Sequence, residues 1–384
     1  MTVGVVGAGA MGIGIVQVAL SAGKKVLLFD QNSQQVEKSV EELKAQLLRL
    51  EEKGKLSSSD RISMLERLGI TTELKEFSSC DLVIEAIIED RKIKKDLFEN
   101  LEEVVSSECI LASNTSSISI TSLSSGLKNP QRFIGIHFFN PAPLMPLVEV
   151  IPGLLTFESL PNEITKMLTR WGKEPVIAKD LPGFIVNRIA RPFYGEALRL
   201  VEEGIAEPEE IDEVMRSNGF RMGPFELMDL IGIDVNFAVT RTVYEDYFFD
   251  PKYRPSLLQQ RMSEAGLLGR KTGKGFYHYT SGNPSSKEIT ITESKKNDIF
   301  LRILSMLVNE ALEAKRLKVA SQEDIEKAML KGVNYPKGLI AWGQEVGYNV
   351  IATCLANLYD RYQEDRYRSS PLLKDLFEKE QDHG

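Results

Sequence analysis

The chain has 384 residues, more than one typical hydrophobic core accommodates, so two or three domains are expected. A hydrophobic share of 42% and a charged share of 27% are ordinary for a soluble globular protein. The net charge of −8 argues against nucleic acid as the main partner, because neutralising phosphates needs a basic surface. Cys80, Cys109 and Cys354 lie far apart and make no CxxC or metal-ligand spacing, so isolated thiols in a reducing compartment are expected and no metal site is. The N-terminus lacks the charged and apolar regions of a signal peptide, and apolar runs such as Val83–Ile88 are far shorter than a membrane span. A cytoplasmic protein without a membrane partner is the expectation.

Along the chain, Val3-Gly4-Val5-Val6 reads as a buried parallel strand, and Gly7-Ala8-Gly9-Ala10-Met11-Gly12 follows it. Met11 to Ala22 has helical spacing closed by Gly23, and Lys25–Asp30 is the next strand. Leu43, Leu47 and Leu50 recur at helical spacing amid charged residues, Gly54 breaks the pattern, and Ser57–Asp60 opens a second helix. This predicts a helical hairpin inserted over residues 33 to 68. Strands are expected at Leu82–Ile88, Cys109–Ala112, Phe133–Phe138, Leu147–Ile151 and Val176–Ala178, with helices among them, which implies an open, mostly parallel sheet.

From Pro182 the strand signals nearly vanish, and 184–204, 207–217, 225–248 and 256–266 are helical in pattern. Ser281–Lys287 reads as a linker, and another helical block covers 297–378. That block repeats the preceding one in three ordered stretches. Asn187 to Met215 parallels Leu301 to Met329, Phe220 to Gly232 parallels Val333 to Gly347, and Tyr253 to Leu258 parallels Tyr367 to Leu373. The expected organisation is therefore α/β: a Rossmann-type domain over 1–181 with an inserted helical hairpin, then two tandem all-α domains at 182–280 and 297–384 joined by a linker at 281–296.

The first chemistry-bearing motif is the GxGxxG between a strand and a helix. Gly7 allows the tight turn, Gly9 lets the backbone approach a pyrophosphate, and Gly12 lets helix and strand pack closely, while the helix start at Ala10 and Met11 offers N–H groups to the phosphate. Asp30 ends the second strand, where a carboxylate accepts from the ribose hydroxyls and repels a 2′-phosphate. Gln31, Asn32 and Ser33 follow, with no adjacent arginine, so NAD is favoured over NADP. FAD shares the fingerprint and is disfavoured by the second motif.

That motif is Gly135-Ile136-His137-Phe138-Phe139-Asn140-Pro141, a histidine ending an apolar strand at the sheet edge where open α/β folds bind ligands. His278 and His383 sit in a Tyr-His-Tyr run and a polar tail. Oxidising a secondary alcohol removes a hydride and a hydroxyl proton, and imidazole suits the proton because its pKa lies near working pH. Glu149, within the next apolar strand, is placed to stabilise the imidazolium.

Ser113–Ser117, Gly135–Pro141, Leu147–Val150, Pro182–Arg188 and Gly269–Tyr277 together resemble the L-3-hydroxyacyl-CoA dehydrogenase family through about the first 279 residues. The resemblance implies NAD-dependent oxidation of a 3-hydroxyacyl-CoA thioester, or its reverse, with His137 as general base and Glu149 as its partner. It implies that Ser116 and Asn187 contact the substrate. It places Glu89, Lys94, Asn114, Ser116 and Asn140 around the nicotinamide and ribose, has Lys271 reach the cofactor, and sets the coenzyme A moiety on the helical hairpin near Lys53 and Gln46. Gln46 stands where the family often has Ser. The second helical copy resembles the arrangement in multifunctional β-oxidation proteins. It lacks the Lys-Thr-Gly-Lys-Gly-Phe-Tyr segment and has Leu301 opposite Asn187, so a scaffold role is expected, in a monomer with an internal pseudo-dimer or a weak homo-oligomer. Rival readings are a gulonate-type sugar-acid dehydrogenase of the same superfamily and a non-catalytic NAD-binding structural protein.

Overall fold

The computed structural model describes residues 1–279 and 291–382, in two compact units that divide between Leu181 and Pro182. In the first unit, short apolar runs fold as β1 (Thr2–Val6), β2 (Lys25–Phe29), β3 (Leu68–Thr71), β4 (Leu82–Glu85), β5 (Ile110–Ser113), β6 (Phe133–Phe138), β7 (Leu147–Pro152) and β8 (Glu174–Ile177). They form one eight-stranded sheet in the order β3-β2-β1-β4-β5-β6-β7-β8. All neighbours are parallel except β6 and β7. The order of the first six is that of a doubly wound dinucleotide-binding sheet.

The helices of this unit show why the sequence folds so. Helix α1 (Ala10–Ser21) is apolar nearly all round and is buried on β1 and β2. Helix α2 (Ser33–Glu52) is instead amphipathic, burying Val36, Val40, Leu43 and Leu47 on one face, and Asn32 caps it by accepting from the Gln34 and Gln35 N–H groups. It forms the expected hairpin with α3 (Ser58–Glu66). Helices α4 (Arg91–Glu102), α5 (Ile120–Ser124) and α6 (Leu160–Arg170) complete the unit. The core joins Val3, Val5, Leu28, Ile84, Ala112, Ile136 and Val150 of the strands to Ile15, Val16, Leu43 and Leu168 of the helices.

Two strand readings needed correction. The hairpin returns through β3, an edge strand of only Leu68-Gly69-Ile70-Thr71 that carries too few apolar residues to announce itself. The run expected to be strand through Ile88 ends at Glu85, whose carboxylate accepts from the Ile87 N–H and turns the chain out of the ladder.

The second unit is helical. The expected helix over 184–204 is two, α7 (Val186–Ile189) and α8 (Arg191–Glu202), divided where Pro192 lacks an N–H for the ladder. After α9 (Pro208–Ser217), the expected helix over 225–248 is also two, α10 (Pro224–Ile231) and α11 (Ile233–Asp246). They break at Gly232, which has φ 104°, a conformation that only glycine adopts easily. Helix α12 (Leu257–Glu264) precedes a turn that carries Lys271.

The later helices are α13 (Glu293–Arg316), α14 (Gln322–Gly332), α15 (Leu339–Val346), α16 (Tyr348–Tyr362) and α17 (Pro371–Asp382). Helix α13 thus begins inside the stretch read as linker, of which residues 281–290, like His383, lie outside the described residues.

Contacts between the two helical sets are reciprocal. Arg188 Nε lies 2.6 Å from Glu310 Oε1, and Arg302 Nε lies 2.6 Å from Glu196 Oε1. The Tyr253 hydroxyl donates to Glu310 at 2.6 Å and the Tyr367 hydroxyl to Glu196 at 2.7 Å. In the sequence parallel, Arg188 corresponds to Arg302, Glu196 to Glu310 and Tyr253 to Tyr367, so exchanging the two sets converts each contact into its counterpart. Every one of these side chains is buried.

Candidate active site

The carboxyl ends of the parallel strands gather most of the residues singled out in the first unit. After β1, the Gly7 N–H donates to the Phe29 carbonyl at 2.8 Å and closes the turn. A Cβ added at Gly12 would lie 1.8 Å from the Gly7 carbonyl oxygen, so helix and turn touch only because no side chain is there. Gly9, by contrast, has nothing within 4 Å of such a Cβ, and it starts α1 with no side-chain cap and no acid in the first turn. Open space before uncapped N–H groups at Ala10 and Met11 is what a pyrophosphate requires, so the residues fit a dinucleotide. At the end of β2, Asp30 accepts from the Ala8 N–H at 2.7 Å and from the Asn32 N–H at 2.9 Å, which fixes its carboxylate against the glycine turn. Gln31 beside it is exposed.

The ends of β4 and β5 carry a charged network that sequence reasoning saw only in part. Lys94 is buried, with Nζ 2.5 Å from Glu85 and 3.1 Å from Glu89. Glu85 also accepts from the Ser113 hydroxyl at 2.6 Å. Glu89 accepts from the Thr115 hydroxyl at 2.5 Å, the Ser116 N–H at 3.0 Å and the Ser117 hydroxyl at 3.1 Å. Burial pushes the Glu85 carboxyl above its usual range, with Lys94 and Ser113 opposing it. Burial acts upward on Glu89 too, but Lys94, Thr115 and the Ser116 N–H together hold it below. Glu85 was missed. Its only signal was an acid closing the apolar run Leu82-Val83-Ile84, and a buried lysine nearby was needed to give it meaning.

His137 lies directly opposite Glu149 in the antiparallel register of β6 and β7. Its Nδ1 is 2.7 Å from Glu149 Oε2, with the histidine nearly buried and the glutamate fully so. The Phe139 ring sits 4.5 Å from the imidazole, and the Phe138 N–H is held by Asn114 Oδ1 at 2.8 Å. An imidazole with one nitrogen fixed by a carboxylate is a one-proton relay through the other nitrogen. The buried Lys173 ammonium donates to the carbonyls of Ala142 and Met145 at 2.5 and 2.9 Å and so ties down the loop after Asn140.

Comparison with known proteins places the chain in a family. Residues 2–181 match the NAD binding domain of 3-hydroxyacyl-CoA dehydrogenase, and residues 183–279 and 299–382 match its C-terminal domain. The chain belongs to the 3-hydroxyacyl-CoA dehydrogenase family. A 3-hydroxyadipyl-CoA dehydrogenase of Escherichia coli is 37% identical over 97% of this chain and 96% of its own. A probable 3-hydroxybutyryl-CoA dehydrogenase of Deinococcus radiodurans is 46% identical over 73% of this chain and 100% of its own. The crystal structure of a 3-hydroxybutyryl-CoA dehydrogenase from Escherichia coli superposes with a TM-score of 0.95, at 35% identity, over 100% of this chain and 99% of that one. This 3-hydroxyacyl-CoA dehydrogenase family member is thus an NAD-dependent oxidoreductase acting on CH–OH.

The other residues expected at the dehydrogenase site are placed as follows. Asn140 is exposed after β6. Gln46 and Lys53 are exposed on or just beyond α2, seven residues apart and so on one helix face. Asn187 lies in α7 of the helical unit. Lys271, in the same unit, pairs with Asp234 at 2.6 Å. The turn bearing Lys271 is anchored by two acids that sequence reasoning did not single out. Asp229 accepts from the Phe276 and Tyr277 N–H groups at 3.0 Å, and Asp212 from the Tyr277 hydroxyl at 2.7 Å. Among the described residues, no cluster of His, Cys, Asp and Glu is arranged to hold a metal ion, and no helix is long and apolar enough to cross a membrane. Cys80 and Cys109 are free and buried, their thiols pushed up to about 11 and 12 by burial.

Proposed function

We propose that the chain interconverts a 3-hydroxyacyl-CoA and its 3-oxoacyl-CoA, with His137 as general acid and base and Glu149 as its electrostatic partner. The observation that carries the reading is the buried 2.7 Å contact between them, at the sheet edge that also presents the open glycine turn. Glu149 holds Nδ1 protonated, which makes Nε2 the nitrogen that exchanges a proton with the substrate hydroxyl. The imidazolium then formed sits against a carboxylate, which lowers the cost of charging it away from water. NAD, when bound, supplies the hydride acceptor. Gly7, Gly9, Ala10, Met11 and Gly12 cradle its pyrophosphate, Asp30 and Gln31 its adenosine ribose, and Glu89, Lys94, Asn114, Ser116, Asn140 and Lys271 its nicotinamide end. Ser116 and Asn187 orient the oxygen on C3. Gln46 and Lys53 contact the coenzyme A moiety.

We further read 182–280 and 297–384 as two copies of one domain that form an internal pseudo-dimer in a monomeric chain. The reciprocal arginine–glutamate contacts support this. Three free thiols suit a reducing, cytoplasmic setting.

Initial rates with acetoacetyl-CoA and NADH test the activity. Turnover supports the reading, and its absence with any 3-oxoacyl-CoA overturns it. The cofactor assignment has its own check: Asp30→Ala should relax discrimination against NADPH, and a wild-type preference for NADPH would contradict it.

A further inference from the structure

The charged network at the ends of β4 and β5 is not balanced. One ammonium, that of Lys94, serves two carboxylates, Glu85 at 2.5 Å and Glu89 at 3.1 Å. The other donors to these acids are uncharged. Glu85 accepts from the Ile87 N–H and the Ser113 hydroxyl. Glu89 accepts from the Ser116 N–H and from the hydroxyls of Thr115, Ser116 and Ser117. Such dipoles stabilise a negative charge without cancelling it.

Glu85 meets donors on both oxygens, Ile87 and Lys94 on Oε1 and Ser113 on Oε2. The Ser113 hydroxyl already accepts from the Thr115 N–H at 3.2 Å and turns its own proton to the glutamate. A protonated carboxyl would need an acceptor there, so these surroundings suit the ionised form, against the upward push of burial. Two anions and one cation leave one negative charge.

The sheet order fixes where that charge lies. From the glycine turn after β1 to His137 on β6, the sheet runs β1-β4-β5-β6. A Cβ added at Gly7 would lie 2.5 Å from the Ala86 carbonyl oxygen, so the residue after Glu85 lies against the turn. Just past β5, Asn114 Oδ1 accepts from the Phe138 N–H at 2.8 Å, beside the histidine. Three strand spacings cover about 14 Å. A dinucleotide with its pyrophosphate on the turn and its reactive ring near His137 therefore crosses the ends of β4 and β5. The Glu85 and Lys94 side chains are 0% and 1% exposed and that of Glu89 is 38% exposed. Glu89 is thus the member a ligand meets, and the other two act through it.

We propose that Glu85, Lys94 and Glu89 together place one uncancelled negative charge at the nicotinamide end of the site and so weight binding between the two redox forms of the cofactor. The cationic ring of NAD+ gains from that charge, and the neutral ring of NADH does not. Glu85 is a positioning residue in this scheme: it holds Lys94 and shares its charge, so that Glu89 is not neutralised. The proposal rests on the dehydrogenase reading above.

Calorimetric titration of the full chain with NAD+ and with NADH, without substrate, tests it. Glu85→Gln keeps the shape and leaves Lys94 and Glu89 as a neutral pair. It should weaken NAD+ relative to NADH by about six- to thirtyfold, the effect of a unit charge across about 8–15 Å at an effective dielectric of about 20. Glu89→Gln removes the same charge and should move the ratio of dissociation constants the same way. Loss of shape alone would weaken both forms alike and leave the ratio where it was. A ratio unchanged in folded Glu85→Gln, or shifted towards NAD+, overturns the proposal. If that variant does not fold, the same result in Glu89→Gln, whose side chain is partly exposed, overturns it. A wild type that binds neither form sinks the dehydrogenase reading with it.

Discussion

His137 and Glu149 face each other across two antiparallel strands, their side chains 2.7 Å apart. If this pair carries the proton, His137→Ala should lower kcat by roughly 10²–10⁴. Glu149→Gln, which keeps shape but loses charge, should cost a similar order. NADH binding, followed by its fluorescence, should survive in both. Unchanged turnover in His137→Ala would remove the assignment.

The glycine turn separates binding from folding. Gly9→Ala places its methyl in open space with ordinary backbone angles, so thermal stability should hold while KM for NAD rises about tenfold or more. Gly12→Ala drives the same methyl into the Gly7 carbonyl and should destabilise the first unit by ~3 kcal/mol or more. A Gly9→Ala protein that binds NAD normally would show that the cofactor lies elsewhere.

Stability of the helical unit should carry a signature of Asp212. Burial pushes its carboxyl up to about 7 from an ordinary 3.8, against the pull of the Tyr277 hydroxyl and the Phe225 and Glu226 N–H groups. Between those values the folded chain keeps a proton that the unfolded chain has released. The stabilisation is complete below about pH 4 and is lost as pH rises through about 7. The melting temperature of the wild type minus that of Asp212→Asn should therefore fall between about pH 4 and pH 7. A flat or rising difference would contradict the shift.

The reciprocal pairs of the helical unit make a second stability test. Arg188→Met leaves Glu310 with Lys252 and Tyr253 but without its arginine, and Glu310→Gln strands Arg188. Each should cost about 3–5 kcal/mol, and the double variant less than their sum. Denaturant titration of the full chain measures all three. Sedimentation should give a particle of 43.1 kDa, and an obligate dimer joined through these helices would refute the pseudo-dimer.

What was legible in the sequence follows physical lines. The glycine turn, Asp30 and the strand bearing His137 were readable because each is a local motif whose chemistry needs fixed neighbours. The pairing of His137 with Glu149 needed only the guess that consecutive apolar strands are adjacent, and β6 and β7 are. Short or interrupted elements were harder. Edge strand β3 has too little apolar surface to register, and the breaks at Pro192 and Gly232 divide helices whose periodicity runs on through them. Least legible were groups defined by distant partners. Glu85 is ordinary until Lys94 lies against it, and Glu310 until Arg188 and Lys252 do. Burial of charge is a property of the folded chain, and no window of sequence contains it.

One consequence of the Arg188–Glu310 and Arg302–Glu196 exchange concerns concentration. Where such a symmetric seam joins separate chains, dilution pulls it apart, and the folded population depends on how much protein is present. Here both sides of the seam are carried on one polypeptide, so its effective concentration is set by the connecting segment and not by the cell. A sparsely expressed copy of this chain keeps the seam as fully formed as an abundant one.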